Sequence, residues 1–297
     1  PGRRRWEFMV LPDEDPNEIA KPEAAWDLLK PWGLTRENAE LERSAVYRFQ
    51  ACWAEQWRFG RSMIAGDAAH LMPPFAGEGM CAGLRDAVAL GWRLNGILQG
   101  HLSDAALDSY ESERKPHARH YIDFSQQLGD IICITDPEQA DQRDKAMIAD
   151  LIARDYAPIT GDHVKLGSGL WCENTPGAGE ISAQGCVGYG GKQGRFDQVV
   201  GQGWFILCAN TETKTLLSHA QFELFGNLDG RILSVGPAGA GFDVDDIEDF
   251  YKNWMAELAV TYVIIRPDFY VAASSNTSAE LHGCFDYLMA ALHASAD

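Results

Sequence analysis

The chain has 297 residues, 46% hydrophobic and 23% charged, the balance of a soluble globular protein with room for two ordinary domains. Its net charge of −18 leaves no basic stripe to neutralise phosphates, which argues against nucleic acid or an anionic membrane surface as a partner. No apolar run approaches a membrane span, and seven scattered cysteines without a Cys-x-x-Cys read as reduced thiols, so a cytoplasmic protein without disulfides or a metal site is expected.

Residues 5–10 alternate, with Trp6, Phe8 and Val10 opposed to Arg5, Glu7 and Met9, and predict a strand. Residues 13–16 are turn chemistry, and 22–29 form a short helix stopped by Lys30-Pro31-Trp32-Gly33. Residues 45–57, rich in aromatic and β-type side chains, predict a strand; Phe59-Gly60-Arg61 is a turn and 62–65 a short buried strand. From Gly79, the recurrence of Met80, Leu84, Ala87 or Val88, Leu94, Ile97 and Leu98 predicts a helix, with Gly100 at its C-terminal cap. Ser103-Asp104 opens a second helix, expected to break near Pro116 and fade around Thr135. Asp136-Pro137-Glu138 opens a third, to about Tyr156. Residues 160–200 are glycine-dense and read as a linker. Beyond them lie a strand (204–209), a helix (213–225), a strand (231–235), a helix (244–258), a strand pair (261–266 and 269–273) and a last helix (278–293). This βαβαββα order describes a small α/β domain.

The segment GDAAHLMPPFAGEGM, residues 66–80, joins the strand at 62–65 to the helix at 79. A helix N-terminus presents free N–H groups and partial positive charge. Gly77 and Gly79 would let the backbone approach a flat ring, Asp67 offers acceptors to sugar-like hydroxyls, and Pro73-Pro74 stiffens the loop. Residues 77–82 also fit a loose G-x-G-x-x-A pattern, but residues 73–76 separate it from the strand that a dinucleotide turn requires.

Residues 66–94, GDAAHLMPPFAGEGMCAGLRDAVALGWRL, resemble the second flavin-binding motif of the FAD-dependent aromatic hydroxylases, the group that includes para-hydroxybenzoate hydroxylase and phenol hydroxylase. RRRWEFMVLP (3–12) and YESERKP (110–116) resemble the same group, nearest its 3-(3-hydroxyphenyl)propionate hydroxylases. The resemblance implies an α/β fold, the C-terminal part of the FAD-binding hydroxylase fold followed by a thioredoxin-like domain. Residues 1–58 would be part of a substrate-binding domain, 59–158 the second half of the FAD-binding domain, 159–200 a linker and 201–297 the thioredoxin-like domain. The group's G-x-G-x-x-G and Asp-Gly motifs do not occur, and the chain opens at Pro1 in what reads as mid-domain sequence; a fragment whose first part is missing is expected.

The resemblance further implies FAD as cofactor, NAD(P)H as electron donor, and O₂ as oxidant of a phenolic ring ortho to its hydroxyl. Gly66, Asp67, Pro74, Gly77, Gly79, Met80 and Cys81 would contact FAD: Asp67 at the ribityl chain, and the N–H groups of Gly79, Met80 and Cys81 at the pyrimidine edge. Pro74 would also be catalytic, its carbonyl near the substrate hydroxyl. Arg5 is the candidate for holding a substrate carboxylate. Glu78 and Cys81 stand where the group often has glutamine and asparagine. Another phenol or a polyketide ring, and a non-catalytic fragment serving as a dimerisation module, remain alternatives.

Several features take plainer readings. His70 is expected to be structural, Trp92 core, and Cys208 and Cys284 small buried hydrophobes. His117 and His120 have helical spacing for a metal but no third ligand near. The acids at 243–249 read as a solvated helix start, and without a Cys-x-x-Cys the C-terminal domain is expected to pack or dimerise, not to do redox chemistry.

Overall fold

The computed structural model describes residues 2–157, 164–213 and 215–293; the expected boundary at 158/159 lies outside these. The chain opens with two short helices, α1 (Pro16–Ile19) and α2 (Pro22–Leu29), each with proline in its first turn, where the missing N–H costs nothing. The strand expected at 5–10 does not form, and of 45–57 only β1 (Cys52–Trp53) is a strand. Alternation supplies a face, but a strand also needs a neighbour to complete its ladder, and among the described residues none pairs with the backbone of 5–10. β2 (Arg58–Phe59) and β3 (Ser62–Met63) form a hairpin about Gly60, whose φ of 57° suits glycine. β4 (His70–Leu71) pairs antiparallel with β1.

α3 (Gly79–Leu98) follows the predicted periodicity, and Gly100, at φ 77°, donates back to the Ile97 carbonyl. α4 (Asp108–Ile132) differs from expectation by running unbroken through Pro116. The proline deprives the Ser112 carbonyl of its helical donor, and Gly167 seats there, its N–H donating to the Glu113 carbonyl at 2.9 Å. α5 (Pro137–Ala153) is capped by Asp136, which accepts from Gln139 N at 2.9 Å.

The stretch read as linker contains β5 (Cys186–Tyr189), β6 (Lys192–Arg195) and the one-turn α6 (Phe196–Val199). Then come β7 (Phe205–Cys208), α7 (His219–Asn227), β8 (Arg231–Pro237), β9 (Val244–Asp246), α8 (Phe250–Glu257), β10 (Tyr262–Ile265), β11 (Val271–Ser275) and α9 (Ser278–His293). The helix expected at 213–225 starts only at His219, where Ser218 and Gln221 form a capping box. The helix expected at 244–258 is two elements. Residues 244–246 pair parallel with β8, and Asp246, buried instead of solvated, caps α8 by accepting from the N–H groups of Phe250 and Lys252, each at 3.0 Å.

The strands make one seven-stranded sheet in the order β11-β10-β7-β8-β9-β5-β6. Within it β7 and β8 are parallel while β10 runs antiparallel to both β7 and β11, which is the thioredoxin arrangement. Alternation along β7 divides the core. Ile206 and Cys208 face Phe225, Phe285 and Leu288 on one side; Phe205 and Leu207 face Phe196, Tyr251 and Val263 on the other. Trp92 and Leu102, from the α3 region, enter the first of these clusters, so the sheet domain and the helices share a core.

Candidate cofactor site

Residues 66–80 fold as two single turns of 3₁₀ helix, 66–68 and 74–76, with β4 between them and α3 beyond. Gly66 (φ 58°) and Gly77 (φ 66°) both take left-handed backbone. The 66–68 turn lies directly on α3: a Cβ on Gly83 would stand 3.4 Å from the Gly66 Cα. Gly66, Asp67, Gly77, Gly79, Met80 and Cys81 therefore share one end of α3. Asp67 is exposed, and its carboxylate has no partner among the described residues. Glu78 precedes the helix without a side-chain cap, and the N–H groups of Gly79, Met80 and Cys81 have no acceptor among the described residues. Glu78 instead binds Arg85 at 3.0 Å. Uncapped N–H groups beside a free carboxylate fit a ligand with both an anionic edge and hydroxyls.

The loop is braced from beneath by residues the motif reading missed. Asp86, fully buried on α3, accepts from Gly66 N at 3.1 Å and Arg114 Nε at 2.9 Å, and lies 2.7 Å from His70 Nε2. Burial pushes the Asp86 carboxyl up, but its bond to His70 and the Arg114 charge outweigh this and hold it below the usual carboxylate range. His70 is the structural residue expected. Ser125 on α4 donates to the Pro73 carbonyl at 2.5 Å and accepts from Ala76 N at 3.3 Å, while the Pro74 carbonyl takes the Gly77 N–H at 2.9 Å, leaving one lone pair. Phe75 rests on Gly129, where an added Cβ would come within 2.6 Å of its ring.

The stretch 110–116 is the site's scaffold. Tyr110 donates to the Ile64 carbonyl at 3.0 Å, Glu111 accepts from Trp57 N at 2.8 Å, and Lys115 reaches both Glu111 and the Glu55 carbonyl. Glu113 forks to Arg266 and also takes Arg93 at 2.6 Å and Leu170 N at 2.6 Å. Arg266 binds Asp268 as well, and Asp268 accepts from Trp92 Nε1 at 3.0 Å. All four charged groups are buried. Burial is the largest single influence and raises the Glu113 and Asp268 carboxyls, yet the charges of Arg266 and Arg93 together with the hydrogen bonds they receive hold both below the usual carboxylate range. His117, buried three residues on from Arg114, is pushed down to about 2 by burial and by the charges of Arg114 and Arg85; its Nε2 lies 3.3 Å from the Tyr270 hydroxyl. A signal for these residues was present: Ala82, Asp86, Ala89 and Arg93 lie on one stripe of α3, and charges inside a buried stripe need partners.

Arg5 is separate from the helix end. It is exposed, ion-paired to Glu7, and donates to the Tyr47 hydroxyl at 2.8 Å. Burial does not deepen this pair, which is carried by the Tyr47 bond and the Glu7 charge; these raise Arg5 above its ordinary range. Tyr47 meets Phe49 (centroids 4.9 Å apart) and Phe49 meets Phe75 (5.9 Å), so a row of rings links Arg5 to the loop. Cys208 is buried as expected, but Cys284 is only partly so and lies beside Cys172.

A glycine-shaped loop feeding an uncapped helix, buttressed by buried charges and followed by a thioredoxin-like sheet, is the scaffold of a flavoprotein. Residues 3–125 match the family described as FAD binding domain, and residues 179–289 the family described as HcaD C-terminal domain. The chain thus carries part of an FAD binding domain, and it resembles the FAD-dependent aromatic hydroxylases. It is 33% identical over 294 residues to a probable NADH-specific resorcinol 4-hydroxylase of Rhodococcus jostii (strain RHA1), covering 98% of this chain and 54% of that one. It is 31% identical over 300 residues to 3-(3-hydroxy-phenyl)propionate/3-hydroxycinnamic acid hydroxylase 2 of Burkholderia vietnamiensis (strain G4 / LMG 22486), covering 92% and 54%. The chain thus spans about half the length of the curated relatives it matches. Among solved structures, the flavin-dependent monooxygenase PieE shares the fold at a TM-score of 0.68 and 18% identity, over 95% of this chain and 56% of that one. No helix among the described residues is long and apolar enough to cross a membrane.

Proposed function

We propose that the chain carries one wall of an FAD site in an enzyme that hydroxylates a phenolic ring ortho to its hydroxyl, with NAD(P)H as electron donor and O₂ as oxidant. The observation that carries this reading is the uncapped start of α3, which leaves the N–H groups of Gly79, Met80 and Cys81 free on the helix against which the turn bearing the free carboxylate of Asp67 packs. Bound FAD would supply the electron relay and the oxygen-transfer chemistry. The three N–H groups would face the pyrimidine edge and favour negative charge there. Asp67 would accept from ribityl hydroxyls, and Gly66 and Gly77 would keep the backbone close. The remaining lone pair on the Pro74 carbonyl would meet the substrate hydroxyl and orient the ring. Arg5 would be the cation for a substrate that carries an acid arm. The names of the relatives support a phenolic substrate and span both a neutral ring and an aromatic acid.

The test is a titration of FAD with the purified chain, followed by visible absorption, beside Asp67→Ala. Flavin bands that shift on binding, with affinity about tenfold weaker in the variant, are expected from the loss of a hydrogen-bonded carboxylate. A spectrum identical to free FAD would refute flavin binding by this chain.

A further inference from the structure

Beside the Pro73–Phe75 bend lies a cavity of ≈ 330 Å³, walled by Phe49, Pro73 and Phe75 on one side and by Gln126, Asp130 and Cys133 of the α4 end on the other. It is open to solvent on one side, with Phe49, Gln126, Asp130 and Cys133 exposed, and its volume is that of a small organic ligand's site. Its floor is shaped for a flat ring: Phe49 and Phe75 meet edge to face at 71°, and Gly129 leaves Phe75 room to lie against α4.

The polar side chains, Gln126, Asp130 and Cys133, are all on one side and none is a cation. Gln126 and Asp130, four residues apart on α4, share a helical face. Asp130 has no ion-pair partner among the described residues, and no lysine, arginine or histidine lines the cavity. Two cations on neighbouring segments are each matched by an acid: Arg5 by Glu7, and Arg143, which donates to the Ile131 carbonyl, by Asp144. An occupant therefore meets apolar rings, a carboxylate and an amide. A phenol hydroxyl can donate to the carboxylate, whereas an aromatic carboxylate would meet like charge with no fork to hold it.

We propose that this cavity takes an uncharged phenol, a ring substituted with hydroxyls alone, in preference to an aromatic acid. The inference rests on the phenol-hydroxylase reading above and narrows its substrate class.

The test is calorimetric titration of the purified chain with resorcinol and with 3-(3-hydroxyphenyl)propionate at neutral pH, alongside Asp130→Asn, Asp130→Arg and Cys133→Trp, with FAD binding titrated separately. Asp130 and Cys133 are exposed, so these variants leave the core untouched. Resorcinol is expected to bind about tenfold or more tightly than the acid. Cys133→Trp should abolish resorcinol binding by filling the space, Asp130→Asn should shrink the preference, and Asp130→Arg should reverse it. Binding of the acid as tight as that of resorcinol, no resorcinol binding, or resorcinol binding indifferent to Cys133→Trp would each overturn the proposal. FAD binding without phenol discrimination would sink this inference and leave the flavin reading intact. Phenol discrimination without FAD binding would do the reverse.

Discussion

Glu113 and Arg266, 153 residues apart in sequence, form a two-pronged ion pair with both oxygens 2.8 Å from guanidinium nitrogens and no solvent exposure on either side chain. Removing one member leaves the other charged, buried and short of partners. Glu113→Gln or Arg266→Met is therefore expected to cost on the order of 3–5 kcal/mol in urea unfolding, and the double variant less than the sum. An additive double variant would show that the pair is not coupled.

Acid should unfold the protein in a sequence set by burial. His117 has its folded pKa pushed down to about 2, against about 6.5 unfolded. A depressed folded value means that the unfolded chain binds the proton first, so the contribution is fully present above about 6.5 and is lost as pH falls from there towards 2. The slope should approach about 1.4 kcal/mol per pH unit below about 6. The lowered carboxyls of Asp86, Glu113 and Asp268 add their losses only below about 4, the unfolded carboxylate range. Urea midpoints at pH 7, 6 and 5 should fall in the native chain and stay level in His117→Gln; equal slopes would rule this out.

Asp86 is expected to matter for the cofactor without touching it. Asp86→Ala removes the acceptor of Gly66 N and leaves buried Arg114 and His70 without their carboxylate. A loss of about 2–4 kcal/mol in stability is expected. FAD affinity should weaken as well, read by the same absorbance titration used for Asp67→Ala. Unchanged affinity in a folded variant would separate the brace from the loop.

Two glycines make a matched pair. An alanine Cβ at Gly167 would stand 2.1 Å from the Ser112 carbonyl oxygen, a backbone atom, so Gly167→Ala should cost roughly 2–4 kcal/mol. At Gly226, inside α7, nothing lies within 4 Å and the backbone is helical. Gly226→Ala should gain about 0.5–1 kcal/mol. Thermal melts of the two variants should move in opposite directions.

What could be read in the sequence was local. Helix periodicity, the cap at Asp136 and the punctuation at Gly60 and Gly100 depend on near neighbours, and the elements formed where those signals stood. The cap at Ser218 is equally local, yet the helix expected from Thr213 begins only there. The bend of 66–80 into α3 was legible for the same reason. Pairing was not. Residues 5–10 alternate but have no ladder partner, whereas glycine-rich 186–195 looks like a linker and becomes two strands because β9 offers an edge. Asp86 escaped notice because its role depends on Gly66, His70 and Arg114, from three elements that meet only in the fold.

The cluster of Arg93, Glu113, Arg266 and Asp268 bears on how such chains can be rebuilt. The helices contribute one base and one acid, and the sheet contributes one base and one acid two residues apart. Each side is neutral by itself, yet a two-pronged bond from Arg266 to Glu113 ties them together. A tail grafted from elsewhere would be accepted only if the end of its third strand carried the same Arg-x-Asp spacing, so these two positions should be inherited as a unit with the glutamate of the long helix. The thioredoxin-like domain is thus keyed to the helices it packs on and is not an interchangeable appendage.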